Sequence, residues 1–329
     1  MSLATDPLRL PLAPADRADL AAHARDTIAK GSKSFAAAAR LFDRDVRQSA
    51  MMLYAWCRHC DDAIDGQVLG FSRRSAVEDA TPAEQLAALE AQTLAALEGD
   101  LTLGPAFRSV ADVAARHGID RQLFIEHLEG YRMDVEGRRY ATIGDTLDYC
   151  YRVAGVVGVM MALVMEARGE DALDRACDLG IAFQLTNIAR DIVDDARVGR
   201  IYVPRDWLQE AGLSDADLLD PRHRGAVAGL AARLADLAEP YYASALQGLP
   251  ALSWRSGWAV ATAHGVYREI GTDIRRYGAA AFDGRVSTGR LAKLRHVGLG
   301  FAKVAVSRMR PREPRPQELW TRPRPLHAA

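Results

Sequence analysis

Two acidic patterns, about 130 residues apart, carry the side chains best suited to chemistry in this chain. The first contains Asp61 and Asp65, and the second runs from Asn187 through Asp191 to Asp195. Helical residues four apart lie on the same face, so each pattern predicts a stripe of oxygen-bearing side chains. Like charges at this spacing destabilise a helix by about 0.2–0.5 kcal/mol per pair. We therefore expect a cation between the two stripes.

The oxygen ligands favour a hard cation. Mg²⁺ binds through a few carboxylates together with substrate phosphates, and Mn²⁺ is the alternative ion. An ordinary solvated helix face is the competing interpretation for either stripe alone. Apolar neighbours such as Trp56 and Phe183 favour a site, and so do Arg58 and Arg190, each one turn or less from a stripe. Because arginine binds phosphate oxygens bidentately, the two patterns together indicate a metal-bound diphosphate.

Length and composition limit the function classes. The chain has 329 residues, enough for one large domain or two ordinary ones, and a net charge of −1. The balanced charge predicts no nucleic-acid partner. Hydrophobic residues make up 49% of the chain, with alanine and leucine prominent, which suits a helical protein with a sizeable core.

The four cysteines do not suggest a disulfide framework in a chain of this size. Cys57 and Cys60 have the spacing of a zinc half-site, but no second Cys-x-x-Cys exists, so buried helix cysteines are the favoured interpretation. The beginning of the chain lacks the pattern of a signal peptide. The longest apolar run, Val153–Met165, is too short to span a membrane. We expect a cytoplasmic protein, with peripheral contact to the inner membrane face if the substrate is a lipid.

Periodicity predicts a helical chain. Asp16 caps a helix that ends at Lys30, and the capping box Thr81-Pro82-Ala83-Glu84 opens another that ends near Gly99. Further helices are predicted at 44–64, 104–117, 121–136, 146–167, 171–196, 225–247 and 253–277. No run of alternating β-branched residues demands a sheet. The predicted architecture is an irregular lead-in (1–15), a single all-α domain (16–309) around a central apolar cavity, and an extended Pro/Arg-rich tail on the surface (310–329).

Two local segments have open interpretations. Ser32, Lys33 and Ser34 follow the first helix, where small polar residues and a lysine hold an anion or form an ordinary capped loop. Gly155 and Gly158 lie inside an apolar helix, where glycine costs about 1 kcal/mol relative to alanine. Such glycines serve close helix packing, or they form a cavity wall along which a hydrocarbon chain passes the backbone.

Four motifs occur in one order along the chain: Ser-Lys-Ser-Phe at 32–35, Tyr-Ala-Trp-Cys-Arg-His-Cys-Asp-Asp-Ala-Ile-Asp at 54–65, Tyr-Cys-Tyr-Arg-Val-Ala-Gly-Val-Val-Gly at 149–158 and Phe-Gln-Leu-Thr-Asn-Ile-Ala-Arg-Asp-Ile-Val-Asp-Asp-Ala at 183–196. Together they resemble the squalene/phytoene synthase family, the head-to-head isoprenyl diphosphate synthases. Gly199–Pro204 and the Glu318-Leu319-Trp320 segment resemble its bacterial phytoene synthase branch. The resemblance extends from about Ala24 to Pro325.

The resemblance implies an all-α isoprenoid synthase fold and a set of site residues. The positions that match the family's metal-binding aspartates are Asp61, Asp65, Asp191 and Asp195, with Asn187 beside them. The positions that match residues holding diphosphate or ordering the site are Tyr54, Arg58, Lys33, Gln184 and Arg190, and the later diphosphate-binding positions are matched by Tyr267 and Arg285. We add Ser32, Ser34, Val157 and Gly158 as predicted substrate contacts.

The reaction implied by the resemblance joins two geranylgeranyl diphosphates into phytoene through a cyclopropyl intermediate like prephytoene diphosphate. Mg²⁺ is the expected cofactor, NADPH is not expected, and downstream carotenoid enzymes are candidate partners. One alternative is formation of squalene, dehydrosqualene or a hydroxylated relative from farnesyl diphosphate, since the residues that close the cavity set substrate length. Another is a non-catalytic assembly factor, which the four intact aspartates disfavour. The proton acceptor is either released diphosphate or a tyrosine.

Overall fold

The computed structural model describes residues 14–31, 38–64, 67–68, 71–72 and 80–324. Within these ranges the backbone is predominantly helical, and its one sheet is an antiparallel hairpin of β1 (Gln67–Val68) and β2 (Phe71–Ser72). The prediction of an all-α fold is confirmed. The chain divides into two compact units. The predicted single domain over 16–309 and its central cavity stay predictions.

The first unit runs to Val135 and includes Leu163–Glu166. Its helices are α1 (Pro14–Gly31), α2 (Arg44–Ile64), α3 (Pro82–Leu97), α4 (Pro105–His117) and α5 (Arg121–Val135). α2 packs against α1 and α4. The predicted capping box opens α3, because the Glu84 amide donates to the Thr81 hydroxyl (3.3 Å) and the Thr81 amide donates to the Glu84 carboxylate (2.7 Å). Residues 1–13 of the predicted lead-in lie outside the described residues.

The second unit comprises Glu136–Ala162 and the chain from Ala167 onward. The helices from Glu136 onward are α6 (Ile143–Cys150), α7 (Val156–Val164), α8 (Glu170–Arg197), α9 (Arg205–Glu210), α10 (Arg224–Gln247), α11 (Trp254–Tyr277) and α12 (Arg290–Met309). Short 3₁₀ turns lie at Ala216–Leu219, Pro221–His223, Leu249–Ala251 and Gly278–Phe282. α8 packs against α10 and α11, and α12 packs against α11. The helices α9 and α12 were not predicted.

The predicted helix at 146–167 is interrupted. Between α6 and α7 the backbone forms a π-helical turn, Tyr151–Gly155. Such turns are rare, and they often occur at functional sites. The turn falls inside the 149–158 motif and packs against α8. The sequence therefore identified the helix but not the local widening of its hydrogen-bond pattern.

The stretch Ile143–Val164 is, among the described residues, the one helical segment long and apolar enough to cross a membrane. It has 22 residues and a mean hydropathy of 1.5, and 56% of the tested window is buried inside the protein. A buried core helix passes the same test of length and composition.

The segment Arg310–Arg324 is anchored to the second unit. It has no regular secondary structure, in keeping with the predicted extended tail. It does not simply lie on the surface, however, since Leu319 and Arg322 are buried. Arg315 donates to both carboxylate oxygens of Asp178 on α8 (2.9 and 2.7 Å), and the Trp320 amide donates to the Tyr241 hydroxyl (3.0 Å).

Asp178 is the buried end of this anchor. Its side chain is fully enclosed, and it also accepts a hydrogen bond from the Ser244 hydroxyl at 2.6 Å. Burial raises the pKa of Asp178, although Arg315 and Ser244 oppose the rise. One turn earlier on α8, Asp174 accepts from Arg322 at 2.8 Å. A row of acids on α8 is thus neutralised by arginines of the Arg310–Arg324 segment.

Candidate active site

The first acidic motif lies at the end of α2, in the first unit. Met52, Trp56 and Cys60 recur every four residues and are fully buried, so they form the inner face of this helix. Asp61 follows at the edge of that face, with 42% of its side chain exposed. Local amphipathicity therefore fixes Asp61 at the border between core and solvent. Asp65 lies outside the described residues, as do Ser32, Lys33 and Ser34.

Arg58 links the predicted site residues of α2. Its Nε and Nη2 lie 3.4 Å from the Tyr54 hydroxyl, and its Nη1 lies 3.8 Å from Asp61. Asp62 lies at 4.0 Å from the same nitrogen. Burial lowers the pKa of Arg58, but the hydrogen bond with Tyr54 and the two carboxylates outweigh that effect, so the pKa is raised. The structure thus brings Tyr54, Arg58 and Asp61 together at the end of α2.

Tyr131 is a site residue that the sequence did not reveal. Its hydroxyl donates a hydrogen bond to Asp61 at 2.6 Å and lies 3.3 Å from the His127 Nε2 atom. All three residues belong to the first unit. Burial first, and then the negative charge of Asp61, raise the pKa of Tyr131 well above its ordinary value. The tyrosine therefore stays protonated and remains a donor to Asp61. In sequence it is an aromatic residue on an amphipathic helix, which is the usual pattern of a core side chain.

The second acidic motif lies on α8, in the second unit. Its buried positions alternate with half-buried polar ones, because α8 packs one face against α10 and α11. The half-buried positions include the predicted site residues Gln184, Asn187, Arg190, Asp191 and Asp195. The Asn187 amide donates to the Gln184 side-chain oxygen at 3.4 Å. The helix thus presents all five residues at the border of its buried face.

Two arginines converge on Asp191. Arg190 donates to both carboxylate oxygens, at 2.7 and 2.5 Å, and Arg285 donates to one of them at 3.3 Å. Burial lowers the pKa of Arg190, but the hydrogen bond with Asp191 and the charges of Asp191, Tyr267 and Asp195 raise it overall. Arg190 is therefore permanently charged. Two guanidinium groups beside one carboxylate leave a positive charge suited to a phosphate.

Tyr267 lies beside the second motif. Its ring stacks on that of Phe183, with 4.2 Å between the ring centres. Tyr267 lies near enough to Arg190 to act on its charge, so the stack places an aromatic face beside that guanidinium. Aromatic faces attract cations, so the pair adds a surface on which positive charge is stabilised.

Comparisons with known proteins identify the family of this chain. The family model for squalene/phytoene synthases matches residues 28–292. Over 301 residues the chain is 50% identical to a phytoene synthase of Pseudescherichia vulneris, covering 92% of this chain and 97% of that protein. Over 294 residues it is 51% identical to a 15-cis-phytoene synthase of Enterobacter agglomerans, covering 89% and 99%.

A solved structure shares the fold. The crystal structure of a dehydrosqualene synthase in complex with ligand matches with a TM-score of 0.78 and 28% identity, covering 89% of this chain and 99% of that one. The chain belongs to the squalene/phytoene synthase family. Membership confirms the predicted isoprenoid synthase fold and the prediction of a prenyltransferase-type enzyme that processes prenyl diphosphates.

The two glycines of the 149–158 motif, Gly155 in the π-helical turn and Gly158 in α7, lie in close contact with α8. A Cβ atom at Gly158 would lie 2.3 Å from the Ala176 carbonyl oxygen of α8, and one at Gly155 would lie 3.0 Å from the Cys177 sulfur. Close helix packing therefore explains why glycine is required at these positions. Val157 is half-buried between them. The predicted substrate contacts of Val157 and Gly158 stay predictions.

The donors of each acidic motif, taken separately, suit the ion that the family resemblance implies. Over the described ranges no three His, Cys, Asp or Glu side chains form a cluster able to hold a metal by themselves. Mg²⁺ does not need one, because it binds through one or two carboxylates and completes its shell with waters and substrate phosphates. Asp61 in the first unit fits that requirement, and so do Asp191 and Asp195 in the second unit. Burial raises the pKa of the Cys57 and Cys60 thiols, which disfavours the thiolates that zinc requires.

Proposed function

We propose that this enzyme is a 15-cis-phytoene synthase of carotenoid biosynthesis, which condenses two molecules of geranylgeranyl diphosphate. The observation that carries the proposal is an identity of about 50% with phytoene synthases over nearly the whole chain. The Arg190–Asp191–Arg285 arrangement supports it, because a diphosphate leaving group needs charge-assisted donors where its negative charge develops.

The reaction balances without a reductant. The C–O bond of one substrate breaks, both electrons leave with diphosphate, and an allylic cation remains. The double bond of the second substrate attacks this cation, and loss of a proton closes the cyclopropyl ring of a prephytoene-type diphosphate. Loss of the second diphosphate, rearrangement and loss of a second proton give the central double bond of phytoene. Two diphosphates and two protons are released, so NADPH is not required.

Arg190 and Arg285 bind and orient the leaving diphosphate in this proposal. Arg190 is the stronger candidate for orientation, because its side chain is only 11% exposed and its fork is fixed on Asp191. Arg285, with 68% of its side chain exposed, has room to move with the substrate. On α2, Arg58 is held by the Tyr54 hydroxyl at 3.4 Å, and its guanidinium lies 3.8 Å from Asp61. In each unit, a predicted diphosphate-binding guanidinium is therefore positioned by a local partner.

Each acidic motif would hold Mg²⁺ together with substrate phosphates: Asp61 in the first unit, with Asp65, which lies outside the described residues, and Asp191 with Asp195 in the second unit. When bound, it supplies positive charge that stabilises diphosphate as a leaving group. Asn187 and Gln184 add amide groups beside the α8 carboxylates. Tyr131 fixes the orientation of Asp61 through its 2.6 Å hydrogen bond.

The test is product analysis by chromatography and mass spectrometry. Purified full-length protein is given geranylgeranyl or farnesyl diphosphate with Mg²⁺, with and without NADPH. We expect a C40 hydrocarbon from geranylgeranyl diphosphate in the absence of NADPH. A preference for farnesyl diphosphate with a C30 product would overturn the proposal in favour of squalene or dehydrosqualene synthesis. Lack of product from both substrates, in protein whose circular dichroism shows an intact helical fold, would favour the non-catalytic alternative.

A further inference from the structure

The outward face of α12 is apolar. Leu291 and Met309 are 83% and 84% exposed, the highest values among the large hydrophobic side chains of the described residues. They are 18 residues apart, which is five helical turns, so both point to the same side of the helix, about 27 Å apart along its axis. Leu294, 68% exposed, and Ala302 lie on the same side. This outward face is a largely apolar strip along the helix, interrupted by Arg295, whose side chain is 60% exposed.

The opposite face of α12 is fixed against α11. His296, Gly300 and Val304 recur every four residues and are buried. A Cβ atom at Gly300 would lie 2.6 Å from the Thr262 hydroxyl, so the two helices are in close contact. The helix therefore cannot rotate to bury Leu291 and Met309 without losing this packing. The exposed strip is a stable feature of the second unit.

Aromatic side chains extend the strip at one edge. Phe301 is 48% exposed and Trp254 is 38% exposed, and their rings lie edge to face with 5.1 Å between centres. The guanidinium of Arg308 lies 5.0 Å from the centre of the Trp254 ring. An exposed tryptophan with an arginine beside it is typical of side chains at a membrane–water boundary.

The charge of α12 is entirely positive. Its sequence contains five basic residues and no acidic one, and two further exposed arginines, Arg310 and Arg312, follow directly. Arg295 forms a surface ion pair with Glu269 at 2.5 Å. Arginine and lysine stems lie along apolar surface while their charged groups remain in water. A helix with such flanks and an apolar face fits the plane of an anionic lipid surface.

We propose that the outward face of α12 docks this protein on a membrane that contains anionic lipids. A second copy of the chain fits less well as the occupant. A two-fold contact would place the same basic face against itself, so Arg290, Arg308 and their copies would repel one another. A bilayer surface with negative headgroups supplies both the apolar layer and the opposite charge. The proposal does not depend on which reaction the protein catalyses.

The test is flotation of the full-length protein, without substrate, on vesicles of phosphatidylcholine alone or of phosphatidylcholine with phosphatidylglycerol. We expect binding to the anionic vesicles that weakens as salt is added. The variant L291E/M309E should bind them about a hundredfold more weakly, since two exposed apolar side chains are replaced by charges. The matched control L101E/L219E makes the same charge change at two exposed leucines outside α12 and should bind like the unmodified protein.

A second variant keeps the test independent of folding. R290Q/R310Q leaves the apolar strip intact and should weaken binding to anionic vesicles by about fivefold per arginine, with no change on phosphatidylcholine. Absence of binding by the unmodified protein, or equal binding by L291E/M309E and L101E/L219E, would overturn the proposal. So would sedimentation analysis showing a dimer that L291E/M309E converts to a monomer without any vesicle binding, because the face would then belong to a second copy.

Discussion

The two acidic motifs have the same four-residue spacing in the sequence, but their described carboxylates have different neighbours in the structure. On α2, Asp61 accepts a hydrogen bond from the neutral hydroxyl of Tyr131, and the Arg58 guanidinium is 3.8 Å away. On α8, both carboxylate oxygens of Asp191 accept hydrogen bonds from Arg190, and one of them also accepts a hydrogen bond from Arg285. A shared four-residue spacing therefore does not determine how each charge is balanced, which depends on the side chains that surrounding elements bring to Asp61 and Asp191.

This difference suggests that the two motifs have different roles, in metal binding at Asp61 and in diphosphate binding around Asp191. A carboxylate held by a neutral hydroxyl keeps its full negative charge for a cation, whereas one held by two guanidinium groups sits in a net positive setting. We expect substitutions at Asp61 to act mainly on metal dependence. We expect substitutions around Asp191 to act on diphosphate binding as well.

The largest expected effect is loss of either carboxylate. Asp61→Asn and Asp191→Asn should each lower turnover by about 10²–10³-fold, because each removes a charge at the reacting diphosphate while keeping the side-chain shape. The measurement is steady-state turnover over a range of Mg²⁺ concentrations, with helicity checked by circular dichroism. Asp194→Asn is the matched control, since Asp194 is exposed on α8 and pairs with Arg197. Near-normal activity of either variant at saturating Mg²⁺ would refute the metal assignment for that motif.

The next prediction concerns the ion pair between Arg315 and Asp178 on α8 and its effect on the free energy of unfolding. Arg315→Ala should destabilise the protein by about 3–5 kcal/mol, because it leaves the buried carboxylate of Asp178 without its ionic partner. Denaturant unfolding measures the change. Arg312→Ala is the control, since Arg312 is exposed. The double variant Asp178→Asn/Arg315→Ala should recover part of the loss. An equal loss in the single and double variants would show that the charge of Asp178 is not the cause.

The destabilisation by Arg315→Ala should depend on pH. Burial already raises the pKa of Asp178, and removal of Arg315 takes away the main opposing influence. A carboxyl group whose folded-state pKa exceeds its unfolded-state value loses stability as pH rises above the unfolded value. The stability deficit relative to the unmodified protein should therefore shrink as pH falls from about 8 to about 5.

A smaller loss of activity is expected when Arg190 keeps its charge but loses its bidentate hydrogen bonding to Asp191. Arg190→Lys keeps the charge but loses the fork on Asp191, and it should lower kcat/KM by about 10–100-fold. Arg197→Lys, on the same helix with a 59% exposed side chain, is the control. Separate determination of kcat and KM shows whether substrate binding or turnover is affected. If both variants behaved alike, the geometry at Asp191 would not matter to the reaction.

The smallest effect tests the neutral donor of the first motif. Tyr131→Phe removes the hydroxyl that orients Asp61 and should raise the Mg²⁺ concentration for half-maximal activity by about tenfold. The exposed Tyr277→Phe is the control. An unchanged Mg²⁺ dependence together with a lowered melting temperature would mean that Tyr131 serves only the core.

Most helices could be predicted because their polar and apolar faces alternate with helical period. The predicted 44–64 helix coincides with α2, and the 171–196 helix differs from α8 by one residue at each end. The helix α12 was not predicted because apolar residues lie on both of its faces. Leu291, Leu294 and Met309 are exposed, whereas Val304 is buried. A helix that is apolar on both faces gives no periodic signal.

The candidate site was predictable where its contacts are local. Tyr54, Arg58 and Asp61 lie within two turns of one helix, so spacing alone places them together. The hydrogen bond from Tyr131 to Asp61 spans 70 positions, and the contact of Arg285 with Asp191 spans 94. Such pairs depend on how helices pack, which local spacing does not specify. Arg285 was identified through the family resemblance, whereas Tyr131 had no such signal.

The anchoring of Asp178 by Arg315 also concerns the order in which the ribosome makes the chain. The two residues are 137 positions apart, and Asp178 is made first. At usual synthesis rates of about 5–20 residues per second, about 7 to 27 seconds pass before its arginine partner exists. During that interval α8 carries an acidic side chain that the second unit cannot yet bury at low cost. We therefore expect this unit to reach its final packing only late in synthesis, after the helix that bears the second acidic motif has already emerged.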